Sequence, residues 1–181
     1  MERKAGKKRK HYLNDFNQAV NGEYIYTGTC YRPQMDSSRF SALRVRIIAV
    51  SILSAAFVLA AGLLPAAGSL NCFYVILPFL AVIICCFVKA GKLARLFFTG
   101  DTVREYIFLK TVPEIPGWTI AETVASAITL IAETVYLIMN GFENREIYTI
   151  VFGFVIAAIV PLDIISLKLF RSIIWHGPVS E

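Results

Sequence analysis

The sequence is poor in the residue types that hold metals or form disulfide frameworks. Its 181 residues include 4 cysteines and 2 histidines. His11 and His176 stand at opposite ends of the chain, without cysteine or acidic neighbours at ligand spacing, so we expect no metal site. Cys85 and Cys86 are adjacent in an apolar stretch, where cysteine behaves as a small hydrophobic residue. The cysteines also fall in different predicted compartments, which argues against a disulfide framework.

Catalytic and cofactor-binding motifs are also missing from the sequence. It has no glycine-rich phosphate loop, no metal-binding histidine pair and no serine nucleophile elbow. We therefore expect no enzymatic activity and no cofactor. The net charge of +5 and the pI near 9.1 do not predict a nucleic-acid partner, because the basic residues follow the pattern of membrane topology described below.

Long apolar stretches are the dominant feature that is present. They cover residues 47–64, 70–88, 118–139 and 147–167. Each approaches the roughly 20 residues that a helix needs to cross about 30 Å of hydrocarbon. They predict an all-α integral membrane protein, a bundle of four transmembrane helices arranged as two antiparallel hairpins. We refer to the four predicted helices as spans one to four.

The basic residues predict the orientation of the chain. Of the 18 lysines and arginines, 17 lie before span one, between spans two and three, or after span four, and Arg145 is the exception. By the positive-inside rule, both termini and the middle loop are cytoplasmic. We predict a multi-pass protein of the plasma, or inner, membrane.

These boundaries divide the chain into five parts. A basic cytoplasmic N-terminal arm (1–46) precedes transmembrane hairpin 1 (47–88), a cytoplasmic middle loop (89–117), transmembrane hairpin 2 (118–167) and a cytoplasmic C-terminal tail (168–181). The bilayer is the expected partner of the whole chain, and its anionic lipids that of the arm.

Two short parts of the predicted cytoplasmic regions have recognisable local patterns. Residues 13–20 predict a short helix. The segments 23–27 and 105–109 are both β-prone, and they predict a small ribbon that would pair the arm with the middle loop.

One face of span three is polar along its length. We call it the polar seam; its members are Glu122, Ser126, Thr129, Glu133, Tyr136 and Asn140. At about 100° per residue, these six positions fall within an arc of roughly 80°. A carboxyl group within the bilayer needs a partner, water or a proton. The sequence offers no cation at the depth of Glu133, which makes this residue the functional candidate of the seam.

A second group of charges is predicted where the spans meet the cytoplasm. Counting residues along spans three and four places Glu122 and Asp163 at a similar depth. The cations that end neighbouring spans on that side could neutralise them. The predicted charge cluster comprises Arg46, Lys89, Glu122, Asp163 and Lys168.

Two functions from different classes fit these features. In the first, the chain is a non-catalytic accessory or interaction subunit of a membrane complex, and the polar seam binds a partner helix. In the second, it is a small proton- or cation-coupled transporter that works as a homodimer with two span-three faces opposed. Both predict a homo- or hetero-oligomer that assembles through span three.

The predicted orientation can be tested by cysteine accessibility. In a cysteine-free background, single cysteines at Ser69 and Asn144 should react with a membrane-impermeant maleimide added to intact cells. A cysteine at Asp101 should react only after the membrane is opened, since the middle loop is predicted to be cytoplasmic. The reverse labelling pattern would contradict this orientation.

Overall fold

The computed structural model describes residues 16–18, 24–26, 29–98, 100, 102–142 and 144–179. Six helices lie in this part of the chain: α1 (Ser37–Leu63), α2 (Ala67–Asn71), α3 (Phe73–Phe97), α4 (Glu105–Thr111), α5 (Ile115–Asn140) and α6 (Glu146–Arg171). The strands described are β1 (Phe16–Gln18), β2 (Tyr24–Tyr26), β3 (Cys30–Pro33), β4 (Val103–Arg104) and β5 (Trp175–Val179).

Four of these helices, α1, α3, α5 and α6, are long and apolar enough to cross a membrane. Large hydrophobic side chains lie exposed on each of them, for example Ile52, Phe87, Ile131 and Phe154. Such surfaces are stable when hydrocarbon surrounds them. The chain is a multi-pass, mostly helical membrane protein.

The long helices have two sets of ends. We call the set formed by Ser37, Phe97, Ile115 and Arg171 the terminal end, because strands β3 and β5, which flank the four long helices in the sequence, lie there. The opposite set, which carries α2, is called the loop end.

Two helices extend well beyond the apolar stretches that the sequence predicts as spans. The helix of span one begins at Ser37 instead of residue 47, and that of span two continues to Phe97 instead of residue 88. In both extensions, buried apolar residues recur among charged ones at helical spacing, Phe40 in α1 and Leu93 and Leu96 in α3. Packing between these faces, rather than lipid, holds the extra turns.

The extensions form a small core at the terminal end. Phe40, Phe97, Ile115 and Phe170 are buried together in it, one from each long helix. A row of aromatic rings extends the core. The ring centroid of Trp175 lies 6.1 Å from that of Phe40 and 5.4 Å from that of Phe108. Phe108 in turn stacks on Tyr31, with ring centroids 4.0 Å apart. This core joins α1, α4 and the strands.

A three-stranded antiparallel sheet covers this core. Strand β3 lies in the middle, paired with β4 from the middle loop and with β5 from the C-terminal tail. The arm and the middle loop therefore do pair, but not through the residues that the sequence predicted. Segment 105–109 lies in helix α4, and Tyr24–Tyr26 pairs with Phe16–Gln18 instead.

The predicted helix over residues 13–20 is also wrong where the structure describes it. Phe16–Gln18 is a strand, because its backbone groups pair with Tyr24–Tyr26 across a short connection. A hairpin partner nearby in the sequence outweighed a weak helical propensity.

The long helices pack unequally in the bundle. The most extensive contacts join α3 with α5 and α1 with α6, and α5 also packs closely on α6. The neighbours in sequence, α1 and α3, touch over a much smaller area. A groove between α1 and α3 results.

Candidate functional site

The polar seam of α5 faces the interior of the bundle. Five of its six members are buried: Glu122, Ser126, Thr129, Glu133 and Tyr136. Asn140, the last residue of the helix, is exposed. The other three long helices therefore cover the seam, and a second copy of the chain would have to contact a different face of the bundle.

A buried ion triad lies at the terminal half of the seam. The ammonium nitrogen of Lys89 on α3 is 2.6 Å from Oε2 of Glu122 on α5 and 2.6 Å from Oδ1 of Asp163 on α6. Both contacts are ion pairs, and the contact with Asp163 is also a hydrogen bond. Lys89 and Glu122 are 1% and 0% exposed. We call these three residues the ionic node.

Two hydroxyl groups contact the other carboxylate oxygens of the node. Ser54 on α1 donates to Glu122 Oε1 at 3.3 Å. Thr123 Oγ1 lies 3.0 Å from the Thr119 carbonyl oxygen and 3.3 Å from Asp163 Oδ2, so a single proton is shared between the two acceptors. Each of the four long helices thus contributes a side chain to this point. With all three charged groups ionised, the node has one more negative charge than positive.

Two residues of the predicted charge cluster lie outside the ionic node. Arg46 and Lys168 are exposed at the terminal end. Lys168 is five residues from Asp163, which at about 100° per residue turns it roughly 140° away from the node. Lys89 occupies the node because α3 continues beyond it for two more turns, so that this lysine lies inside the helix rather than at its end.

Glu133 takes part in a second polar contact, at the loop end. Its Oε1 accepts a hydrogen bond from the backbone N–H of Gly68 at 3.1 Å, in the short helix α2. The preceding N–H, of Ala67, donates to Thr149 Oγ1 on α6 at 3.0 Å. These first amides of α2 have no acceptor within the helix, so the two side chains satisfy them. We call Glu133, Thr149 and the Ala67–Gly68 amides the loop node.

The loop node draws the connection between α1 and α3 into the bundle. Ala66 and Ala67 are fully buried, although they belong to a connection only a few residues long. Arg145, the one basic residue outside the predicted cytoplasmic parts, lies with its guanidinium 3.4 Å from the Pro65 carbonyl oxygen. Arg145, which directly precedes α6, therefore also holds the connection between α1 and α3 against the bundle.

Gly68 is required at its position by the closeness of Glu133. A Cβ atom built on Gly68 would lie 2.9 Å from Cδ of Glu133 and closer still to its Oε2. Carbon atoms do not approach that closely without displacement, so the carboxylate can reach the α2 backbone only because residue 68 has no side chain.

Between the two nodes, the polar groups are only partly satisfied. Thr129 donates to the carbonyl oxygen of Ala125 in its own helix. Within the part of the chain that the structure describes, Ser126 Oγ and Glu133 Oε2 are buried without a hydrogen-bond partner. The same described residues contain no cluster of three or more metal-binding side chains. The chemistry that the arrangement offers is charge pairing, hydrogen bonding and proton exchange at carboxyl groups.

Sequence reasoning did not identify several members of the two nodes. Ser54, Thr123 and Thr149 are isolated hydroxyl residues within apolar helices, and such residues occur as often for packing as for polar contacts. Gly68 lies between the predicted spans one and two, outside both apolar stretches. The sequence Ala67–Asn71 is too short and too mixed in polarity to predict a helix there.

Outside the predicted spans, one ion pair joins the ends of two helices. Lys92 Nζ lies 2.6 Å from Glu114 Oε2, and this hydrogen bond and the lysine charge lower the pKa of Glu114. Because Glu114 is half exposed, solvent screens the pair and its contribution to stability is small.

Comparison of the chain with protein-family models, curated proteins and solved structures found no match. Its site must therefore be interpreted from its own geometry.

Removing the cation of the ionic node should strongly destabilise the protein. Lys89→Met leaves two buried carboxyl groups without their shared partner, and we expect a loss of about 3–5 kcal/mol. The triple variant with Glu122→Gln and Asp163→Asn should recover most of it, because no buried charge remains. Thermal unfolding in detergent measures both. As a control, Lys92→Met should cost less than about 1 kcal/mol; equal losses for the two lysines would contradict the node.

Adding a methyl group at Gly68 should displace Glu133. We expect Gly68→Ala to destabilise by roughly 1–3 kcal/mol, the usual cost of overpacking. Gly91→Ala is the matched control, since nothing lies within 4 Å of a Cβ there and the helix should gain up to about 1 kcal/mol. Adding Glu133→Ala to Gly68→Ala should restore stability in the same unfolding assay. If the double variant is no more stable than Gly68→Ala, the added methyl group clashes with a group other than Glu133.

Proposed function

We propose that this protein is a non-catalytic accessory subunit of a membrane complex, in which a self-contained helix bundle supports an interaction surface at the terminal end. The observation that carries the proposal is the internal use of the polar seam. Both of its carboxylates contact groups of the same chain. Glu122 pairs with the Lys89 ammonium group, and Glu133 accepts a hydrogen bond from the Gly68 backbone N–H. Charged groups engaged in this way hold helices together rather than meet a substrate.

The proposal includes an orientation. We place the terminal end in the cytoplasm and the chain in the plasma membrane, as two antiparallel hairpins. The positive-inside rule supports this placement, because the exposed arginines and lysines of the described chain lie at the terminal end. Six further basic residues, at positions 3–10, precede span one in the sequence.

The terminal end offers a surface of the right kind for a protein partner. A cleft of about 400 Å³ lies between the end of β3 and the start of α1, lined by Arg32, Pro33, Met35, Ser37 and Phe40. Arg32 is exposed at its edge. Arginine beside methionine and aromatic side chains is a composition enriched at protein interfaces. An acidic segment of a neighbouring subunit is the partner that this cleft fits best.

A specific observation also favours a second function. The buried polar groups of α5 form a continuous row from Glu122 to Glu133, and Ser126 Oγ and Glu133 Oε2 within it lack partners among the described residues. The two carboxyl groups are eleven residues apart, about 16 Å along the helix. A small proton- or cation-coupled transporter would use such a row.

The mass and composition of the native assembly distinguish the two functions. Solubilised in mild detergent through a C-terminal tag from its own host, the protein should co-purify with other subunits in fixed stoichiometry. Arg32→Glu should reduce that recovery at least several-fold, since it places a like charge against an acidic partner.

Arg171→Glu is the control, because it makes the same charge change at an exposed arginine that does not line the cleft. Equal loss in both variants would contradict the cleft as the docking site. An assembly that contains only this chain as a homodimer would contradict the accessory role and favour the transporter.

A further inference from the structure

A narrow groove opens toward the lipid between α1 and α3, near the terminal end. It has a volume of about 230 Å³, and its walls are almost entirely apolar. Ile52 and Phe98 form its rim and are 64% and 82% exposed. Ala55, Ala90 and Ala94 form its small-residue walls. The groove exists because α1 and α3 pack mainly on other helices.

The floor of the groove contains a polar atom that the protein does not satisfy. Ser51 lines the groove and is 9% exposed. Its Oγ has no hydrogen-bond partner among the residues that the structure describes. A buried hydroxyl in an apolar environment costs free energy unless it is hydrogen-bonded. A ligand with an acceptor oxygen at this depth would satisfy it.

A basic residue lies at the membrane-surface end of the same stripe. Arg44, Ile48, Ser51 and Ala55 are spaced four, three and four residues apart, which places them within an arc of roughly 60° on α1. Arg44 precedes Ser51 by seven residues, about 10 Å along the axis. The stripe therefore runs from a cation, past a hydroxyl group, to an apolar channel.

We propose that this groove binds one acyl chain of an anionic phospholipid. The order of groups along the stripe matches the order in such a lipid: the phosphate meets Arg44, an ester carbonyl accepts the Ser51 hydroxyl hydrogen bond, and the hydrocarbon chain lies between Ala55 and Ala94. This site is separate from the basic cluster at residues 3–10 and from both polar nodes.

The size of the groove favours a lipid over a partner helix. A helical segment about 10 Å across and 10 Å long fills roughly 800 Å³. The groove provides about 230 Å³. A helix would therefore rest across the rim of this groove, whereas a single hydrocarbon chain is narrow enough to lie inside it.

The proposal can be tested with photoreactive lipids in nanodiscs. The purified protein is reconstituted with a phosphatidylglycerol that carries a diazirine on its acyl chain, or with the matching phosphatidylcholine, and the adducts are mapped by mass spectrometry. We expect adducts at Ile52 and Phe98, about five-fold more abundant with the anionic headgroup. Arg44→Gln should remove that preference. Arg46→Gln should keep it, since Arg46 points away from the groove stripe.

A second pair of variants tests the acyl channel. Ala55→Leu fills the groove and should reduce adducts to background with both headgroups, while Ala56→Leu, at the adjacent exposed position, should leave them unchanged. If Ala55→Leu does not fold, Ala94→Leu fills the groove from the opposite wall. Equal labelling of the two alanine variants, or of the two lipids, would overturn the proposal. So would a dimer in nanodiscs that Ala55→Leu dissociates, because a second copy would then occupy the groove.

Discussion

The attraction of one lysine for two carboxyl groups is the interaction on which the bundle depends. In a bilayer the apolar faces of helices gain little by leaving lipid for one another, so packing and polar contacts must select a single arrangement. Lys89, Glu122 and Asp163 come from three helices, and Ser54 adds the fourth. A rotation of α3, α5 or α6 by a fraction of a turn would leave a charge in hydrocarbon, and a rotation of α1 would withdraw the Ser54 hydroxyl from Glu122. The node therefore fixes the rotational position of every span.

Helix α5 connects this constraint to a second one at the opposite end. Glu122 and Glu133 project from the same face, and one pairs with a side-chain cation while the other caps the backbone of α2. The two glutamates thus have different roles, because α3 presents a lysine to Glu122 and α2 presents backbone N–H groups to Glu133. Because α2 has no cation to offer, its free amides supply the positive end of the contact. The central position of α5 follows from these two attachments.

Much of the architecture could be predicted from the sequence, since four apolar stretches report four spans directly. The face of α5 that carries the acids was also evident from periodicity alone. What periodicity does not contain is the identity of the partner: whether Lys89, Arg46 or Lys168 reaches the node depends on where α3 ends, and its last turns are charged on one side. The prediction of a strand over residues 105–109 was wrong for a related reason. Its β-prone composition was outweighed by packing of Phe108 against Trp175 and Tyr31, which lie far away in the sequence.

The central position of β3 in its sheet has a consequence for the order of biosynthesis. One of its partners, β4, follows about seventy residues later, and the other, β5, follows about seventy residues after β4. While the ribosome makes the intervening helices, β3 has two unpaired edges, and the sheet closes only after the final strand has emerged. The state of β3 thus depends on residues far along the chain, and a chain that stops before Trp175 would expose an open strand edge.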